Sequence, residues 1–144
     1  MQNSKNTKYS GVTEKFNMEV MTNYNNYIVE VALSYFKNVK KCIDFGAGIG
    51  TLALILRKKF NINPICIEID EDNIDYLKKR KFKFVRNLKS APSENDLIFS
   101  SNVLEHIKDD QNTLNLMKKK LKKNGILYLF LPAKMFLWSG MDEA

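Results

Sequence analysis

Two acids, three glycines and two asparagines fall at spacings that suit the binding of a small polar ligand. Asp44 stands two residues before Gly46, and glycines recur at alternate positions, Gly46, Gly48 and Gly50. Without a Cβ, such a turn bends sharply and lets backbone lie against a bound molecule. A carboxylate beside it orients an ammonium group, directly or through water. Glu68 follows eighteen residues after Gly50, inside the apolar run Ile65-Cys66-Ile67-Glu68-Ile69. Burying a carboxylate there without a donor is costly, which favours a ligand role over a solvated strand-end acid. Asn87 and Asn102 end two later apolar stretches. His106 is the only histidine, either a general base or an amphipathic group that packs or caps at a helix entrance.

These residues need strand ends to hold them, and the hydropathy pattern supplies them. Residues 1–17 form a polar, flexible tail, and residues 18–144 form one domain. Apolar residues at helical spacing (Met18, Met21, Ile28, Val31, Ala32, Tyr35) predict a helix over 18–36. A strand over 41–45 runs into the glycine turn, and a helix over 51–60 follows. Residues 61–64 turn into a second strand, 65–69. Asp70 caps the next helix, which runs to about residue 79 and has Glu71 and Asp72 in its first turn. A third strand covers 82–86, a loop with Pro92 spans 88–95, and a fourth strand covers 96–101. A bent helical segment leads to a firmer helix over 110–122, closed by Asn124-Gly125. A fifth apolar strand covers 126–131. Strands alternate with helices and are mostly apolar, so the fold class is α/β, a doubly wound and mostly parallel sheet.

Composition narrows the setting. The 144 residues are 44% hydrophobic and carry a net charge of +7. Most of the excess is lysine near helix C-termini (58–59, 78–81, 118–123), where cations complement the helix dipole. No arginine-rich arm or aromatic-interleaved basic strip occurs, so nucleic acid is not the expected partner. Apolar runs such as 52–56 fall far short of the ~20 residues a membrane span needs. The polar N-terminus lacks a signal core, and Cys42 and Cys66 read as buried reduced thiols with no zinc-site spacing. Together these features point to a cytoplasmic protein.

The glycine turn is open to three readings. A P-loop needs Gly-Lys-Ser/Thr at its end, whereas Gly50 is followed by Thr51-Leu52. A dinucleotide fingerprint needs a glycine at the sixth position, which is Thr51 here. The third reading fits: Asp44-x-Gly46-x-Gly48-x-Gly50 resembles the acid-x-Gly-x-Gly-x-Gly motif of class I S-adenosylmethionine-dependent methyltransferases. The string Asn102-Val103-Leu104-Glu105-His106-Ile107 also resembles that family. Within it, the chain is most similar to small bacterial members with a Tyr-Asn pair before the first strand, here Tyr24-Asn25. In these, strand five leads into a segment like Pro132-Ala133, Leu137-Trp138-Ser139 and Asp142-Glu143-Ala144.

The resemblance implies S-adenosyl-L-methionine as cofactor and transfer of its methyl to an acceptor, by a domain whose Rossmann-like sheet continues to seven strands. It implies that Asp44, Gly46, Ala47 and Gly48 form the cofactor turn. Glu68, at the end of strand two, accepts the ribose hydroxyls, with Ile69 beside it. Asn87 bonds the adenine amino group or a ring nitrogen, and Asn102 faces the methionine part or the methyl. Tyr24 lines the pocket or belongs to the core, and Trp138 is a lid residue or sits in an apolar patch. No catalytic base is assigned and no metal is expected. The acceptor would be a small molecule or glycan-type compound. Strands six and seven are absent from 1–144, so strand five is expected to be an apolar edge open to self-association. The chain is then a truncated enzyme, or a degenerate domain that binds cofactor or a partner without catalysis.

Overall fold

The computed structural model describes residues 21–36 and 38–132. Its sheet has five strands in the order β3-β2-β1-β4-β5: β1 Cys42–Phe45, β2 Ile65–Ile67, β3 Phe84–Val85, β4 Asn95–Ser101 and β5 Leu121–Phe130. Every pairing is parallel. The helices are α1 Thr22–Ser34, α2 Thr51–Phe60, α3 Glu71–Lys79 and α4 Asp110–Lys120, with single 3-10 turns at Leu88–Ser90 and Leu104–His106. This is the doubly wound α/β architecture expected from the alternation of apolar runs.

The period of two along β1 divides the core. Cys42 joins Ile28, Val29 and Ala32 of α1, Leu56 of α2, and Leu97 and Phe99 of β4 on one face. Ile43 and Phe45 join Ile67, Ile98 and Met117 of α4 on the other. All four residues of β1 are buried, as a central parallel strand covered on both faces requires. Each fully buried aliphatic side chain among them contributes roughly 1.5–3 kcal/mol. Phe99 stacks on Tyr128 with ring centroids 5.4 Å apart, tying β4 to β5.

Local signals set the helix ends. The Asp70 carboxylate accepts the Asn73 N–H at 2.9 Å, and acids lead α3 while Lys78 and Lys79 close it. Asn61 ends α2 in the left-handed region (φ 55), and the Ile62 N–H returns to the Leu56 carbonyl at 3.1 Å.

Some boundaries differ from the sequence reading. The helix expected over 110–122 stops at Lys120, and β5 begins at Leu121 rather than 126. Asn124 (φ 63) and Gly125 do not cap the helix; they lie within β5, where the register shifts between Asn95↔Leu121 and Leu97↔Ile126. Two contacts explain the shift. Leu121 is drawn into the α4-side apolar cluster, and the Asn95 amide donates to the carbonyls of Lys120 (2.8 Å) and Pro92 (2.7 Å). The bulge then packs so tightly that a Cβ on Gly125 would lie 2.7 Å from the Asn95 carbonyl oxygen. β2 ends at Ile67 rather than 69 because the Glu68 carboxylate takes the N–H groups of Ile69 and Asp70, turning the chain out of the sheet. β3 is confined to Phe84–Val85, shorter than the 82–86 expected.

The expected start of α1 at 18, the tail over 1–17 and the segment carrying Trp138 lie outside the described residues. Among the described residues no helix is long and apolar enough to cross a membrane, and β5 pairs with β4 alone.

Candidate functional site

The strand order reverses between β1 and β4. In an open parallel sheet this leaves a crevice beyond the strands' C-terminal ends. The glycine turn after β1 lines it, anchored where the Gly46 and Ala47 N–H groups donate to the Ile67 carbonyl at 2.9 and 3.1 Å. Gly46 has φ 72, and a Cβ there would come within 2.3 Å of a Val103 methyl, so the turn packs directly on the chain leaving β4. Gly48 (φ 55) differs: a Cβ there would meet nothing within 4 Å. Here the turn faces open space.

Two carboxylates stand behind the turn. Asp44 is 2% exposed, and its Oδ2 is buried without a hydrogen-bond partner. Burial, then the neighbouring Glu68 charge, pushes its pKa up from 3.8 to about 7. Glu68 is also buried. Its Oε2 accepts the Gly48 N–H at 2.7 Å, and its Oε1 accepts the N–H groups of Ile69 (2.8 Å) and Asp70 (3.0 Å). Glu68 is therefore a buckle between the end of β2 and the glycine turn. Beside it Ile69 is 76% exposed, an unusual position for a large aliphatic side chain.

On the β4 side, Asn102 takes a left-handed conformation (φ 52), and its N–H donates to the Phe130 carbonyl at 2.8 Å. Tyr24 meets Phe130 edge-on, with centroids 5.9 Å apart, and packs against the α1-side core. It is thus half-buried core at the rim nearest Asn102. The structure brings together Asp44, Gly46, Ala47, Gly48, Glu68 and Ile69, with Asn102 adjoining through Val103. Asn87 stands apart, exposed beyond β3. Its Oδ1 caps the 3-10 turn by accepting from the Ser90 N–H (3.0 Å) and hydroxyl (3.1 Å). His106 closes the 3-10 turn after β4 and is exposed. Both carboxylate oxygens of the preceding Glu105 are buried without a hydrogen-bond partner.

Three positioning side chains carry little sequence signal. Val103 sits over Gly46. The buried Ser100 donates to the Phe45 carbonyl at 3.1 Å, joining the ends of β1 and β4. Arg80 donates to the Ile49 carbonyl of the turn at 2.8 Å, although in sequence it is one more cation in a basic helix end. Among the described residues no group of three or more His, Cys, Asp or Glu is placed to hold a metal ion.

The same fold occurs in known structures. An S-adenosyl-L-methionine-dependent methyltransferase assignment from Methanococcus maripaludis aligns over 89% of this chain and 67% of its own, with 20% identity and TM-score 0.70. A SAM-dependent methyltransferase from Archaeoglobus fulgidus aligns over 83% of this chain and 57% of its own, with 25% identity and TM-score 0.66. The plantazolicin methyltransferase BpumL, solved in complex with SAH, aligns over 88% and 53%, with 18% identity and TM-score 0.67. The chain spans about half to two thirds of the length of these proteins. No protein of curated function matches it. The family model for the methyltransferase domain matches residues 21–142. On that match the chain belongs to the methyltransferase domain family, and its sheet is the Rossmann-like, class I form of the fold.

Proposed function

We propose that this domain binds S-adenosyl-L-methionine across the glycine turn and passes its methyl to a small-molecule or glycan-type acceptor. The observation that carries the reading is Asp44: a buried carboxylate with an unpartnered oxygen, beside a turn whose Gly48 opens onto free space. A cationic donor such as an amino-acid ammonium completes that carboxylate, directly or through water. The exposed face of Ile69 suits an adenine ring. Asn87, with its oxygen spent on Ser90, retains its amide N–H groups for a ring nitrogen. A carboxylate offers about four lone-pair sites, and backbone donors fill three of them on Glu68. One ribose hydroxyl therefore finds a free site, and a second shares or displaces a backbone donor. When bound, S-adenosylmethionine supplies an electrophilic methyl on sulfonium sulfur. The chain's own work is then to align, so positioning dominates and no base is assigned.

A second reading is a domain that binds cofactor or a partner without catalysis. It is supported by the edge of β5, which among the described residues pairs with β4 alone and through which two copies would pair. The buried thiols Cys42 and Cys66 fit a reducing, cytoplasmic setting. Isothermal calorimetry with S-adenosylmethionine tests the donor site. Wild type should bind and Glu68→Ala should bind at least tenfold more weakly; no heat from folded wild type would refute the site. Methyl transfer to cell extract then separates the catalytic from the non-catalytic reading.

A further inference from the structure

We infer that Arg80 is a positioning residue for the glycine turn, holding it in the shape that receives the donor; this rests on the donor-site reading above. Three ties on the turn come from the end of β2: the Gly46 and Ala47 N–H groups on the Ile67 carbonyl, and the Gly48 N–H on Glu68. A fourth comes from elsewhere. Arg80, the residue after α3, donates from Nη1 to the Ile49 carbonyl at 2.8 Å. That carbonyl belongs to the peptide between Ile49 and Gly50, the N-cap of α2 (φ 83). Fixing it sets the plane of the last turn peptide and the direction in which α2 departs.

Arg80 is itself held. Arg57 of α2 donates from Nη1 to the Arg80 carbonyl at 2.8 Å and from Nε to Asn63 at 2.7 Å. Its guanidinium lies 3.6 Å over the Phe82 ring. Each arginine thus grips the backbone of the other's segment, one at each end of the gap between α2 and the α3–β3 turn. Packing closes the same gap: a Cβ on Gly50 would lie 2.8 Å from Leu77 and 3.4 Å from Phe82. The residue type matters. The sequence carries arginine only at 57, 80 and 86 among its 23 basic residues, and 57 and 80 form this clamp. A planar guanidinium reaches a carbonyl while stacking or bonding elsewhere, which a lysine ammonium does less well.

The consequence is for binding. A turn freed at Ile49 samples more conformations, and the ligand must then order it, which lowers affinity. Arg80→Met keeps the apolar stem and removes the donor, Arg80→Lys keeps a donor, and Arg86→Met changes an exposed arginine paired with Glu71 as control. Two readouts are taken: calorimetric affinity for S-adenosylhomocysteine, and hydrogen exchange at the Gly50 and Leu54 amides, which donate to Ala47 and Gly50. Arg80→Met should bind roughly tenfold more weakly, a loss of about 1.4 kcal/mol, and exchange faster at those amides. Arg80→Lys should recover part of the affinity, and Arg86→Met should match wild type. Unchanged affinity and exchange in Arg80→Met would overturn the inference. So would equal losses in Arg80→Met and Arg86→Met, or no recovery in a folded Arg80→Lys. If wild type fails to bind, the donor-site reading fails, and the exchange comparison still decides whether Arg80 holds the turn.

Discussion

Asp44 is where the chemistry of the site and the stability of the fold meet. Its pKa rises from 3.8 unfolded to about 7 folded, chiefly through burial and secondly through Glu68. The folded state therefore holds the extra proton between those values. The stability this group contributes is fully present below pH 3.8 and is lost as pH rises to about 7, an effect of about 4 kcal/mol. Denaturant unfolding from pH 4 to 8 should show this decline in wild type. Asp44→Asn should show a flatter profile and higher stability than wild type at pH 8; parallel profiles would count against the buried acid. Much of this site was legible in the sequence: Asp44, the glycines and Glu68 come from motif spacing. Two features were not. The bond from Gly48 to Glu68 depends on how the turn folds back, and Arg80 reaches Ile49 across thirty-one positions of sequence. No local pattern encodes either contact.

At the scale of elements, strand ends place the candidate site residues, and the edge of β5 is where the self-association reading is tested. Asp96 shows how firmly the inner strands are set. Its carboxylate accepts the N–H groups of Lys40 (2.8 Å) and Lys41 (2.7 Å) and pairs with Lys122. The Lys122 bond, ahead of the Lys41 N–H, holds its pKa down to about 2. β5, by contrast, has one hydrogen-bonded neighbour among the described residues, and its residues from Gly125 to Phe130 are only half-buried. Sedimentation velocity at rising concentration should show wild type self-associating, and Leu131→Lys, at the exposed end of the edge, should weaken this. A monomer at every concentration would remove the self-association reading. Element order and type were readable from the period of the apolar residues. The α4–β5 boundary was not, because Asn124-Gly125 serves a helix stop and a strand bulge equally well. Only the packing of Leu121 and the reach of Asn95 across twenty-five residues to Lys120 select the bulge.

For the whole molecule, family and fold agree on a methyltransferase domain. The sheet leaves a crevice at the reversal of strand order, and Asp44, the glycine turn, Glu68 and Asn102 all lie at that end of the strands. An acceptor is not encoded by the fold, since one framework serves many chemistries. The donor reading rests on Asp44, the glycine turn and Glu68. Backbone amide NMR during titration with S-adenosylhomocysteine reads this directly. Saturable shifts should centre on Gly46, Ala47, Gly48, Glu68, Ile69 and Asn102, and leave the amides of α4 unmoved. A folded protein whose spectrum does not change, or whose shifts gather away from the glycine turn, would contradict the account.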